Sequence, residues 1–239
     1  MGTFRGTNLR RRATGSQFFT PPPPIVSSYS GLEHYWPMDE ATGVTRVDRQ
    51  GSNDFTVTTG PATQVAAHLG NGTDNSTLDA SSFTAGPDGW SLVWWQEALN
   101  AGSPSVAALY AWTGQGSGAV TADSGVTNVQ LLVNGRPGGV AKGHTYAAST
   151  IGVAWHFFAL VVDAAGVRTY QGDDLGAALD EQFNAWDSGD SFVAPTGINL
   201  TAGTPWLGIV LDDMAQYSKP IVPSVVEALY NGGVGVALL

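Results

Sequence analysis

Two pairs of adjacent acids, Asp39-Glu40 and Asp212-Asp213, are the residues in this 239-residue chain best suited to chemistry. Four carboxylates converging on one point make an all-oxygen shell, which is what a hard cation such as Ca²⁺ takes. The same acids serve equally well as turn caps or as ion-pair partners of Arg46 and Arg49. Residue type alone leaves both readings open. Asp74, Asn75, Asp79 and Asp123 stand in turn-rich stretches and are weaker candidates for a site at a rim. The four histidines, His34, His68, His144 and His156, are scattered without ligand spacing, and there is no cysteine, which removes disulfides and thiolate chemistry. No nucleophile elbow, Gly-rich phosphate loop or HExxH pattern is present.

Aromatic rings on loops are a second kind of candidate, because rings stack on the apolar faces of sugars. Trp112, Tyr146 and Trp186 are the three to test as glycan contacts. Trp186 lies in the polar stretch NAWDSGD, where burial is less automatic. The competing reading is that all three fill a core.

A third candidate is the N-terminus. Residues 1–30 hold Arg5, Arg10, Arg11 and Arg12 and no acid, whereas residues 31–239 hold 6 basic against 20 acidic residues. The arm therefore stands at +4 and the remainder at −14, within a net charge of −10. An acidic body repels polyanions, so nucleic acid is not an expected partner. The arm lacks hydrophobic periodicity and ends in four consecutive prolines, Pro21 to Pro24, which favour an extended polyproline spacer. Phe4, Phe18 and Phe19 are out of place in a free linker, and together with the arginines they read as an anchor. Its target is either another chain or this chain's own body. No apolar run reaches 18 residues, so no membrane span is expected, and the first residues lack the apolar core of a secretory signal.

The elements that must position these groups are strands. Hydrophobic residues make up 43% and charged residues 13%, with 31 glycines, which suits a turn-rich all-β body over residues 31–239. In WSLVWWQEAL (90–99), Leu92, Trp94 and Gln96 alternate with Val93, Trp95 and Glu97. Residues 155–173 read as a hairpin turning at Ala164-Ala165-Gly166. Further strands are expected at 32–38, within 41–60 on either side of Gly51, at 106–114, 118–124, 128–135, 140–148 and 197–203, and within 205–221. One helix is expected over 225–233, capped by Ser224 with Glu227 at the capping-box position. A second short helix is expected within 173–186. Trp36, Trp94, Phe158, Tyr170 and Leu211 take inward positions between two sheets.

Three stretches together resemble the laminin-G-like branch of the concanavalin A-like lectin/glucanase superfamily: LEHYWPMDEATGVTRVDRQGSND (32–54), WHFFALVVDAAGVRTYQGD (155–173) and LGIVLDDMAQYSKPIVPSVVEALYNGG (207–233). They span nearly all of the body. One departure is Tyr170-Gln171-Gly172-Asp173, where that family usually has Tyr, one residue, then Asp-Gly. The resemblance implies an antiparallel β-sandwich jelly roll with a short C-terminal helix. It also implies that the first and last strands lie close, which would bring Asp39-Glu40 towards Asp212-Asp213. Glucan-cutting members carry a Glu-x-Asp-x-x-Glu strand. That pattern is absent here, so the expectation is a binding or structural module and not an enzyme. No cofactor beyond the candidate Ca²⁺ is implied. Sandwiches of this type also occur as appendages of bacteriophage particles, and the arm-plus-body organisation fits that setting. The resulting expectation is a virion surface protein made in the host cytoplasm. Its arm binds capsid or tail proteins, its sandwich faces outward towards cell-surface glycans, and it forms a homo-oligomer. A stand-alone lectin is the alternative, and a glycoside hydrolase is the third reading.

Overall fold

The alternation within residues 89–98 does not separate a core from solvent. It separates two cores. In the computed structural model, residues 91–96 are all buried. The structure describes residues 30–239 except 42, 44, 60–62, 75–76, 81, 99–106, 109–110, 113–118, 124–127, 135–140, 148–154, 191–194, 196, 201–208, 237 and 239. The arm, with Phe4, Arg5, Arg10, Arg11, Arg12, Phe18 and Phe19, lies outside the described residues.

In chain order the strands are β1 (Leu32–Trp36), β2 (Thr45–Arg46), β3 (Phe55–Thr59), β4 (Thr63–Ala67), β5 (Gly70–Asp74), β6 (Thr77–Ala80), β7 (Gly89–Ala98), β8 (Ala107–Ala108) and β9 (Ala111–Trp112). They continue with β10 (Ala119–Asp123), β11 (Asn128–Asn134), β12 (Ala141–Ala147), β13 (Trp155–Asp163), β14 (Gly166–Asp173), β15 (Asp180–Ala185), β16 (Ile198–Leu200) and β17 (Ile209–Tyr217). Helix α1 (Pro223–Tyr230) follows and runs into a 3-10 turn over Asn231–Gly233.

The main sheet runs β15-β14-β13-β7-β17-β5-β4, with β1 also paired to β17. Facing it are the sheets β2-β3-β6-β16-β9 and β12-β11-β10-β8, and β10 lies beside β9. The pairings described are antiparallel, as in sandwiches of this class. The inner core between the layers holds Trp36, Phe55, Leu92, Trp94, Leu131, Tyr146, Phe158, Leu160, Ile198 and Leu211. The outer face of the main sheet is covered by α1 and the C-terminal segment, which bury Val93, Trp95, Phe157, Ala159, Tyr170 and Tyr217 with Val226, Leu229, Tyr230 and Leu238. A strand buried on both faces reads as an unbroken apolar run, and WHFFALVV in β13 is such a run.

Four expectations change. Tyr170 belongs to the outer core and not to the space between the sheets. Residues 173–186 form no helix. Asp173 Oδ1 accepts the amides of Leu175 (3.0 Å) and Ala177 (3.2 Å), which holds the chain in a side-chain-closed turn, and β15 then takes the free edge of β14. Helix α1 begins at Pro223 in the first helical position with Val222 as N-cap and no side-chain cap, so Ser224 lies inside the first turn. A proline there sacrifices no bond, because its missing N–H would have no helical partner. The turn-rich stretch from residue 63 to residue 80 carries three strands, β4, β5 and β6. Asp74, Asp79 and Asp123 therefore stand in strands and not in turns.

Candidate functional site

The pairing of β17 with β7 slips between Asp212 and Ala215, and Asp213 takes a left-handed backbone (φ 44°). A regular strand would send two consecutive side chains to opposite faces. With the slip, Asp212 and Asp213 are both buried, at 1% and 8% exposure. Asp212 Oδ2 accepts the Leu69 amide at 2.7 Å. The Tyr35 hydroxyl donates to Asp213 Oδ1 and itself accepts the Leu238 amide at 3.4 Å. The pair thus ties β1, the β4–β5 turn and the C-terminal segment together. Burial, reinforced by the Asp39 charge, pushes Asp212 up to about 7 against the pull of the Leu69 and Asp213 amides. Burial and then the Asp212 charge push Asp213 well above the usual carboxylate range, although the Tyr35 hydroxyl works the other way.

The partner pair is placed differently from the calcium expectation. Asp39 is exposed and sits 3.3 Å from Arg49 Nη2. Glu40 Oε1 accepts the Val47 amide at 2.7 Å, and its Oε2 lies 3.8 Å from Arg46 Nε. Asp39 is near enough to act electrostatically on both buried acids, as the closeness of the first and last strands implied. Glu40 is turned into the arginine and the turn instead. Among the described residues no three acids or histidines are grouped to hold a metal ion. Turn capping and pairing with Arg46 and Arg49 is the reading the structure shows.

The glycan candidates divide. Tyr146 is 2% exposed in the inner core, and its hydroxyl donates to Thr169 Oγ1 at 2.8 Å. This corrects its reading as a surface ring. Trp186 is half-buried against the same core, and its Nε1 donates to the Asp163 carbonyl at 2.8 Å, so only part of the ring is left to a ligand. Trp112 stands in β9 opposite Ile198, and its side chain lies outside the described atoms. Tyr146→Phe is expected to lower stability by about 1 kcal/mol through the lost hydrogen bond. A urea titration checks this, and an unchanged glycan-array profile is the expected companion result.

Two constellations escape a reading of single residue types. Asp48, 5% exposed, collects the turn after β2. Its Oδ1 accepts the amides of Tyr35 (3.0 Å), Gln50 (3.1 Å) and Gly51 (2.9 Å). Its Oδ2 accepts the Asn53 amide (3.1 Å) and lies 2.6 Å from His34 Nδ1. Burial acts to raise its pKa, but the Gly51, Tyr35 and Asn53 amides with His34 outweigh it and hold the carboxyl below its ordinary range. A Cβ on Gly51 would lie 2.6 Å from Asp48 Oδ2 and 2.7 Å from His34 Nδ1, so only glycine fits. The signal available in the sequence is the spacing Asp48-x-x-Gly51-x-Asn53.

The other constellation lies at the opposite end of the main sheet. His68 stacks on Trp95, with centroids 3.9 Å apart, and lies 6.1 Å from Trp155. Burial holds its imidazole below its usual pKa, against the pull of Asp174 and the Val234 and Gly233 backbone. Burial and then the Asp174 charge raise the Glu97 carboxyl. The Asp174 amide donates to the Trp155 carbonyl at 3.0 Å. Gly233 (φ 89°) meets the 173–176 turn so closely that a Cβ there would sit 2.6 Å from the Asp173 carbonyl oxygen.

The geometry defines a two-layer antiparallel β-sandwich. No protein-family model matches the chain, and no curated protein matches it. Among solved structures it is similar to the binding domain of botulinum neurotoxin serotype D, with TM-score 0.64 and 12% identity over 84% of this chain and 51% of that one. It is also similar to Trypanosoma rangeli sialidase in complex with sialic acid, with TM-score 0.58 and 14% identity over 87% of this chain and 34% of that one. A mutant of that sialidase displaying trans-sialidase activity gives TM-score 0.57 and 15% identity over 91% and 37%. The chain thus spans between a third and a half of the length of these neighbours. At such identities the likeness concerns the fold.

Proposed function

We propose that this chain is a non-enzymatic surface protein of a bacteriophage virion, anchored by its N-terminal arm and displaying the sandwich outward. The observation that carries this reading is the change of charge across Ser30, at a point where the chain is clamped. Lys219 Nζ donates to Ser30 Oγ at 2.6 Å, and the Ser218 amide donates to the Gly31 carbonyl at 2.7 Å. Four arginines and no acid precede that clamp, and the acidic body follows it. A fixed exit point with a polyproline spacer suits a tether. The partners are capsid or tail proteins of the same particle, and a homo-oligomer multiplies weak contacts. Co-sedimentation with purified particles tests it. The wild-type chain sediments at saturable stoichiometry, and R10E/R11E/R12E loses at least about tenfold in affinity, steeply with salt. Equal sedimentation of both chains, or of neither, overturns the anchor.

A stand-alone carbohydrate-binding module is the second reading. The fold it shares with the sialidase supports it, although the sialic acid there belongs to the sialidase. Saturable binding on a glycan array by R10E/R11E/R12E would favour it. Glycoside hydrolysis is the third reading, and the sequence carries no Glu-x-Asp-x-x-Glu pattern for it.

A further inference from the structure

Asparagine followed by glycine is the pair best able to let a main chain attack its own side chain, because glycine puts no Cβ in the path of its backbone nitrogen. The chain has Asn71-Gly72, Asn134-Gly135 and Asn231-Gly232, and Gly135 lies outside the described residues. The other two pairs are placed oppositely. Asn71 and Gly72 lie inside β5, in register with Ala66 and Val65 of β4. Gly72 is buried, and a Cβ on it would sit 2.5 Å from the Leu211 carbonyl oxygen of β17. Bringing its nitrogen over the Asn71 side chain would pull β5 out of its sheet. Asn231 ends α1 in a left-handed conformation (φ 49°, ψ 44°), and both it and Gly232 are exposed. Gly232 (φ 60°) is open, since a Cβ there would meet nothing within 4 Å. The Asn231 Nδ2 donates to the Gly235 carbonyl at 3.3 Å, a long bond that an exposed side chain readily exchanges for water.

We propose that Asn231 is a site of spontaneous deamidation, and that its product loosens the junction between α1 and the 173–176 turn. The Gly232 nitrogen loses its proton to base and attacks Asn231 Cγ. An N–C bond forms, the bond from Cγ to Nδ2 breaks, and ammonia leaves carrying a proton in place of the one lost. Water then opens the cyclic imide at either carbonyl, giving aspartate or isoaspartate, with no oxidant or reductant. Either product puts a carboxylate at the end of α1, where the helix carbonyls already point and the last turn has no basic residue. Asp173 and Asp174 both act as negative charges on the neighbouring Tyr230, so the new charge enters acidic surroundings. The Nδ2 donor to Gly235 is lost as well. Isoaspartate also lengthens the main chain by a methylene just before Gly233, where a Cβ would already lie 2.6 Å from the Asp173 carbonyl oxygen. The junction has no slack to absorb it.

The proposal does not rest on the virion reading, because it concerns a covalent change within the chain itself. Peptide mapping by mass spectrometry tests it, on the full-length chain aged at mildly alkaline pH both folded and in denaturant. In denaturant Asn71 and Asn231 should convert at similar rates. In the folded chain Asn71 should convert at least about tenfold more slowly than Asn231, since its conversion needs β5 to open. An isoaspartyl methyltransferase should label the Asn231 peptide of the aged chain. In the deamidated fraction the amides of 173–176 and 233–236 should exchange hydrogen at least about tenfold faster, while those of β13 keep their protection. Asn231→Asp supplies the charge without the added methylene and should show part of this loss. Slowing of Asn231 in the folded chain as strong as that of Asn71 overturns the site. Unchanged exchange in the deamidated fraction overturns the loosening.

Discussion

Asp48→Ala is expected to lower the stability of the chain by about 3–5 kcal/mol. The reason is the asymmetry of buried hydrogen bonding: a lost acceptor strands its donors. Asp48 serves four backbone amides and His34, and the amides of Tyr35 and Asn53 are themselves buried. Each stranded buried donor costs about 1–3 kcal/mol. For a chain of this size the corresponding fall in melting temperature is roughly 10 °C. Asp48→Asn retains one acceptor oxygen and should fall about half as far. A fall as large in Asp48→Asn as in Asp48→Ala would show that charge, and not the acceptor geometry, holds the turn. Because the folded-state pKa of Asp48 is depressed, its contribution is present above the ordinary carboxylate pKa and disappears as pH falls through the lower folded value.

The second large effect has the opposite pH dependence. Asp212 and Asp213 are raised, so between the ordinary carboxylate pKa and their folded values the native state binds more protons than the unfolded chain. Stability therefore falls as pH rises through that window, which for Asp212 reaches up to about 7. Combined with Asp48, this places maximal stability in the mildly acidic range, with losses on both sides. Asp213→Asn removes the like charge facing Asp212 and Asp39 and keeps an oxygen for the Tyr35 hydroxyl. It should stabilise the chain by about 1–3 kcal/mol at about pH 8 and by little at about pH 4. Thermal melts of both chains across pH measure this directly. Parallel wild-type and Asp213→Asn profiles would mean that the pair carries no excess proton.

The elements most legible in the sequence were those whose pattern is local. The alternation in β7 and the apolar run of β13 predict strands, and the stretch VVEALYNGG predicts a C-terminal helix. The structure has all of these. Residues 173–186 mislead because alanine and leucine there have helical propensity, whereas the outcome depends on Asp173 capping its own turn and on the vacant edge of β14. Strands β4 to β6 are hidden by Gly and Asn, whose low strand propensity sheet pairing overrides. Tyr146 was misplaced because ring exposure depends on the sheet opposite, which no local pattern reports. The acid pairs stand out in the sequence, but the bulge that seats one pair and the arginines that take the other are tertiary facts.

The main sheet has its last strand in its middle. β17 lies between β7 on one side and β5 and β1 on the other. A chain growing from the ribosome therefore cannot close this sheet until residue 217 has emerged. Before that, β7 and β5 present open edges to each other's place, with their apolar faces unfilled. Folding of this sheet waits for β17, and closure joins β1 to β17 in one long-range step, which is slow in chains of high contact order. A body truncated before β17 would lack the centre of its sheet, not its rim, and would offer other chains two ready edges to pair with.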